Sequence, residues 1–249
     1  MSKLDSRVGL LERQQEVMRI LNLFLEEKLD FVVVGGYAIS TYKKRFSIDL
    51  DVVIKEEDLE NFEKILEKEK YALHYKKEIA LMYGEQFKRF MKKMNSLPVD
   101  IDLLINGLVS RTTNATWGLD YIKRNSVKRK LNNSEFLTPE KELIIAMKFH
   151  SGRLSDIRDI VALMPCDKNK LRRHLLNGDI KKLRDSRKNQ ASFLNSPQFD
   201  DSFKGIFGPF SYNEKDVQEA KKLVKEYNWN IIVRKIEKVY SKLIEKQHF

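Results

Sequence analysis

Two short segments constrain this chain more than anything else in it: Ile48-Asp49-Leu50-Asp51-Val52-Val53-Ile54 and Val99-Asp100-Ile101-Asp102-Leu103-Leu104-Ile105. Each is an apolar run interrupted by two acids two residues apart. In a strand, residues i and i+2 point to the same face. Asp49 and Asp51 therefore project side by side, and so do Asp100 and Asp102. The intervening Leu50, Val52, Ile101 and Leu103 want burial, so both segments read as central strands. Carboxylates this close repel each other, and one of them is driven toward its protonated form. The usual offset is a divalent cation that takes oxygen ligands from both, with phosphate oxygens and water completing the shell. If the two strands are neighbours, three or four carboxylates converge on one spot. Such a site holds one or two Mg²⁺ or Mn²⁺ ions for in-line phosphoryl or nucleotidyl displacement. The alternative is a pair of exposed edge strands with solvated acids.

The segment upstream supplies a complementary half. Phe31 to Val34 reads as a strand, Gly35-Gly36 as a tight turn, and Tyr37 to Lys43 as a short helix. Glycine lets a backbone come close to phosphate, and amides at a helix start point at an anion. Strand, turn, helix and acid strand then form one unit, with phosphate on one side of a metal and carboxylates on the other. An ordinary turn is the alternative for the glycines alone.

Before this unit, residues 7–28 read as an amphipathic helix through Leu10, Leu11, Val17, Ile20, Leu21, Phe24 and Leu25. After it, Glu57 to Lys68 reads as a helix, 71–76 and 79–83 as strands, and 86–94 as ambiguous. Thr138-Pro139-Glu140 carries the signals of a helix start, with Thr as cap and Pro at the first helical position. Ser155 and Asp167 read as caps of two further helices, the last ending at Gly178. The stretch 195–213, rich in Pro, Gly and Phe, reads as a loop. Strands thus precede about residue 130 and helices follow, an α+β arrangement.

The 249 residues suffice for one large domain or two modest ones. Lys and Arg number 47 against 36 Asp and Glu, a formal charge of +11. That excess favours polyanionic partners such as RNA. Residues 169–190 concentrate it in Lys170, Arg172, Arg173, Lys181, Lys182, Arg184, Arg187 and Lys188; a tRNA-like acceptor or plain solvation fits this face. One cysteine, Cys166, excludes an internal disulfide and a cysteine zinc site. The four histidines lack ligand spacing, and His150 alone is close to a candidate residue. With no signal-like or membrane-length apolar run, a cytoplasmic location and no membrane contact are expected.

Gly35-Gly36, then Arg45-x-Ser47-x-Asp49-x-Asp51, then Asp102 on a later strand, together resemble the DNA polymerase beta-like nucleotidyltransferase superfamily over residues 30 to 165. The stretch is most similar to the toxin nucleotidyltransferases of abortive-infection systems and their prokaryotic relatives. The resemblance implies a small mixed nucleotidyltransferase sheet flanked by helices over residues 1–130, followed by a mainly helical, basic C-terminal half over 131–249. It implies Gly35 and Gly36 at the triphosphate of an NTP, and Asp49 and Asp51 at the metals. Asp102 would be the third carboxylate that helps activate the attacking hydroxyl, with Asp100 as its same-face substitute. Many members carry Ser after the first glycine; here Gly36 offers only its amide.

Ser47 belongs to the same motif. Arg45 is open between a triphosphate contact, a carboxylate pair and a plain surface position. Lys148 is a candidate phosphate contact, and Arg153, Asp156, Arg158 and Asp159 read as an ion-pair cluster or as substrate contacts. The implied reaction moves a nucleoside monophosphate from an NTP to a hydroxyl of RNA, protein or a small molecule, with an antitoxin as an implied partner of the toxin type. A catalytically inactive nucleic-acid-binding module on the same fold is the competing reading. The final stretch, 220–246, is an amphipathic helical pair similar to the C-terminal helices of retaining glycosyltransferases with two Rossmann domains, and reads as packing.

Overall fold

The structure is a computed structural model that describes residues 3–74 and 86–226. The strand expected at 79–83 and most of the C-terminal helical pair lie outside the described residues.

The long first helix, α1 (Lys3–Glu26), buries Val17, Ile20, Leu21 and Phe24 completely, at the spacing of one helical face. It packs with α3 (Leu59–Lys68) on one face of a five-stranded sheet. The strands are β1 (Phe31–Val34), β2 (Asp49–Ile54), β3 (Ala72–Leu73), β4 (Phe87–Met94) and β5 (Leu97–Ile105), in the order β1-β2-β5-β4-β3. The β2–β5 pair is parallel and all others are antiparallel, so the sheet is mixed.

Period-two alternation divides each strand cleanly. Val33, Leu50, Val52, Val99, Ile101 and Leu103 face α1 and α3, where Phe24, Phe31 and Phe62 meet edge to face at 4.9–6.1 Å. Burying each such side chain contributes about 1.5–3 kcal/mol. The opposite face presents Val32, Val34 and Val53 to a second core with Trp117, Leu143 and Met147. The four acids sit on that face beyond the apolar patch.

Two hairpins follow. β6 (Gly107–Ser110) pairs with β7 (Ala115–Gly118), and, after α4 (Leu119–Arg124), β8 (Ser126–Leu131) pairs with β9 (Ser134–Pro139). The helical half comprises α5 (Lys141–Ser151), α6 (Asp156–Ala162), α7 (Lys168–Leu175), α8 (Ile180–Leu194), α9 (Gln198–Phe207) and α10 (Glu214–Glu226) around their own core. The fold is α+β, as the sequence implies. Among the described residues no helix is long and apolar enough to cross a membrane.

Two local expectations fail for physical reasons. Thr138 and Pro139 do not open a helix. They close β9, with Thr138 paired to Val127, and α5 begins after Glu140. The stretch 198–207 is helical rather than loop, because Phe199, Phe203 and Phe207 recur every fourth residue and all three are buried. That apolar stripe outweighs Gly205, whose hydrogen side meets open space. Asp167 does cap α7, accepting from the amides of Asn169 and Lys170.

Candidate active site

The parallel pairing of β2 with β5 sets Asp49 opposite Asp100 and Asp51 opposite Asp102. Each acid pair shares a face, so the register brings the four carboxylates of two neighbouring strands together. The segments are central, which removes the edge-strand alternative. Asp102 is buried and Asp49 and Asp51 are half-buried. Burial, then the charges of Asp49 and Asp102, push the Asp51 carboxyl up to about 8. Burial also raises Asp102, although Arg89 opposes the shift.

Gly35 and Gly36 open α2 (Gly35–Ser40) against this cluster. Gly35 adopts φ +61°, and a Cβ there would stand 1.9 Å from Asp51 Oδ2. A Cβ on Gly36 would stand 2.1 Å from Ser47 Oγ. Both positions therefore demand glycine, one by backbone angle and contact, the other by contact alone. The second result accounts for the missing serine at position 36. The Ser47 hydroxyl fills that space and donates to Asp49 Oδ1 at 2.8 Å.

Facing the acids is a chain of ion pairs from the helical half. Arg45 Nη1 lies 2.6 Å from Asp159 Oδ1, Lys148 Nζ 2.8 Å from both Asp159 Oδ2 and Asp156 Oδ1, and Arg153 Nε 3.0 Å from Asp156 Oδ2. The Arg45–Asp159 pair ties the segment before β2 to α6. Lys148 is buried, with two of its three donors committed to carboxylates. Burial alone would lower its pKa, but Asp159 and Asp156 raise it, so it stays charged. Arg158 donates to Ser202 and to the Ser155 carbonyl.

These groups line a cleft of about 460 Å³. Gly35, Gly36, Arg45, Ser47, Asp49, Asp51, Asp102 and Lys148 all line it, and Asp100 does not. The sequence reading missed the opposite wall: Phe87 and Arg89 of β4, Leu108 to Thr112 of the first hairpin, and Met147. Arg89 matters most. It stands opposite Asp102 in the β4–β5 register and grips both oxygens of that carboxylate, Nε to Oδ1 at 2.7 Å and Nη2 to Oδ2 at 2.6 Å. The alternation Phe87, Arg89, Met91 was the signal, readable only once 86–94 is known to be a strand.

Among the described residues no three or more His, Cys, Asp or Glu side chains are arranged to share one ion. Both Asp102 oxygens are engaged by Arg89. The chemistry fits a hard cation at the Asp49–Asp51 pair: the donors are all oxygens, and buried Asp100 Oδ1 beside them has no hydrogen-bond partner among the described residues.

A family model described as uncharacterised nucleotidyltransferase matches residues 8–175, about two thirds of the chain. The chain belongs to this nucleotidyltransferase family. As such it is an enzyme that transfers nucleotidyl groups. No curated protein sequence matches it. Among solved structures it is similar to the lincosamide antibiotic adenylyltransferase LnuA with lincomycin bound, at 14% identity and a TM-score of 0.41, covering 68% of this chain and 95% of that one. It is also similar to ANT(2'')-Ia in complex with adenylyl-2''-tobramycin, at 15% identity and a TM-score of 0.40, covering 72% and 95%. A solution structure of the antibiotic-resistance factor ANT(2'')-Ia is similar at 15% identity and a TM-score of 0.38, covering 98% of both chains.

Proposed function

We propose that this nucleotidyltransferase moves a nucleoside monophosphate from an NTP to a hydroxyl, with a divalent cation at Asp49 and Asp51. The observation that carries this reading is the in-register stacking of the two acid pairs next to two obligatory glycines. The amides of Gly35 and Gly36 approach the triphosphate, and Ser47 fixes the rotamer of Asp49. Lys148, held between Asp156 and Asp159, adds positive charge to the wall that faces the phosphates. Bound there, Mg²⁺ or Mn²⁺ supplies charge neutralisation for the transferring phosphoryl group and the leaving pyrophosphate. The acceptor oxygen attacks the α-phosphorus, the bond from that phosphorus to the β-bridging oxygen breaks, and pyrophosphate departs. Asp102 takes the proton of the attacking hydroxyl once Arg89 releases one of its two oxygens.

For the acceptor we favour RNA or another polyanion. The support is the formal charge of +11 and the exposed Arg172, Arg173, Lys181 and Lys182 on α7 and α8. A compact, partly apolar hydroxyl compound is the second reading, favoured by Phe87, Leu104, Leu108 and Met147 along one side of the cleft. A toxin role predicts growth arrest on expression that Asp49→Ala relieves.

The test is incubation with each NTP labelled at the α-phosphate, Mg²⁺, and either total RNA or a small-molecule extract. Wild type is expected to transfer label and Asp51→Asn to fail. Equal transfer by both with every acceptor removes the carboxylates from the reaction.

A further inference from the structure

The third carboxylate is already occupied. Arg89 covers both oxygens of Asp102 with a forked, charge-assisted pair, and its Nη1 lies 3.6 Å from Asp100 Oδ2. The Asp102 side chain is 5% exposed, while that of Arg89 is 29% exposed, with Phe87 flanking the guanidinium at 5.8 Å. The carboxylate is fixed in the sheet and the cation has a route to solvent. A cation bridging Asp51 and Asp102 would need the same oxygens and would sit against a guanidinium. Two positive groups do not share that space without one of them leaving.

We propose that Arg89 is a removable counter-ion. While it grips Asp102, the sheet holds one divalent ion, at Asp49 and Asp51; a second ion bridging Asp51 and Asp102 enters only after Arg89 turns toward solvent. This explains why the acids are in register without three of them sharing one point. It rests on the reading of Asp49 and Asp51 as ion ligands, so the test must separate the two.

A purely structural salt bridge makes a different forecast: removing Arg89 would lower stability and leave the ion count alone. The experiment is titration of the full chain with Mn²⁺ alone, following free Mn²⁺ by electron paramagnetic resonance. Wild type is expected to bind one ion per chain. Arg89→Ala and Arg89→Gln are expected to bind two, with the second site tighter than any second site of the wild type by on the order of tenfold. Adding Asp102→Asn to Arg89→Gln should return the count to one. Two ions of similar affinity in the wild type, or one ion in both Arg89 variants, overturns the proposal. If Arg89→Ala misfolds, Arg89→Gln carries the comparison, and two ions of similar affinity in the wild type overturn the proposal without any variant. If wild type binds no Mn²⁺, or Asp49→Asn binds as well as wild type, the ion-ligand reading has failed and the counter-ion role falls with it. If one ion binds through Asp49 and the count never rises, only the counter-ion role is lost.

Discussion

Replacing Gly35 by alanine separates backbone cost from functional cost. The residue sits at φ +61°, where a side chain costs about 1–2 kcal/mol. At about 2–4 °C per kcal/mol for a chain of this size, that alone lowers the melting temperature by a few degrees. The new methyl would stand 1.9 Å from Asp51 Oδ2, and ordinary contact begins near 3.4 Å. The carboxyl must therefore retreat by about 1.5 Å. A displacement of about 1 Å in a reacting group costs on the order of 100-fold in rate. Gly35→Ala should thus lose about 1–2 kcal/mol in urea unfolding and about 100-fold or more in nucleotidyl transfer, measured as label released from an α-labelled NTP. Gly36→Ala, whose Cβ meets Ser47 Oγ at 2.1 Å, should impair transfer through Asp49 without the backbone penalty. A Gly35→Ala enzyme that loses the stability but transfers at the wild-type rate refutes the close packing of turn and acid.

Lys148→Met leaves the buried Asp156 and Asp159 without their shared ammonium and should cost about 3–5 kcal/mol, read from urea midpoints at neutral pH. A loss below about 1 kcal/mol would make this network a surface feature. Burial holds the His150 imidazole down to about 4 from its usual 6.5, so between these values only the unfolded chain takes the proton. Stability is therefore full above pH 6.5 and falls as pH drops toward 4, by up to about 3 kcal/mol from this group. Unfolding free energies of wild type and His150→Asn across that range should differ in slope, and parallel slopes would contradict the assignment. Reversing Lys181 and Lys182 to Glu should weaken RNA binding and flatten its salt dependence while the transfer rate to a saturating small acceptor stays unchanged; undiminished RNA affinity would place the acceptor elsewhere.

The faces of the two acid strands were legible because their physics is local. Period-two alternation in 48–54 and 99–105 fixes which residues share a face, and two acids on one face demand a partner whatever the tertiary fold. The register that makes Asp49 meet Asp100 is non-local, and no sequence pattern sets it. The same holds for Arg89: "QFKRFMKKM" carries both periods, and pairing with β5 decides between them. The β6–β7 hairpin went unread because its segments are only four residues each and lean on the helical half. Ser110 donates to the His150 carbonyl, and Thr113 hydrogen-bonds to the His150 ring. The helix 198–207 is masked in the sequence because Pro197, Gly205, Gly208 and Pro209 punctuate the fourfold spacing of its phenylalanines.

Mg²⁺-dependent binding of a non-hydrolysable NTP, followed by titration calorimetry, tests the core claim most directly. Wild type should bind only when Mg²⁺ is present, and Asp49→Asn and Asp51→Asn should lose that binding while keeping a wild-type melting temperature. Equal NTP affinity in wild type and both variants, with or without Mg²⁺, would contradict a nucleotide site built on the carboxylates of β2.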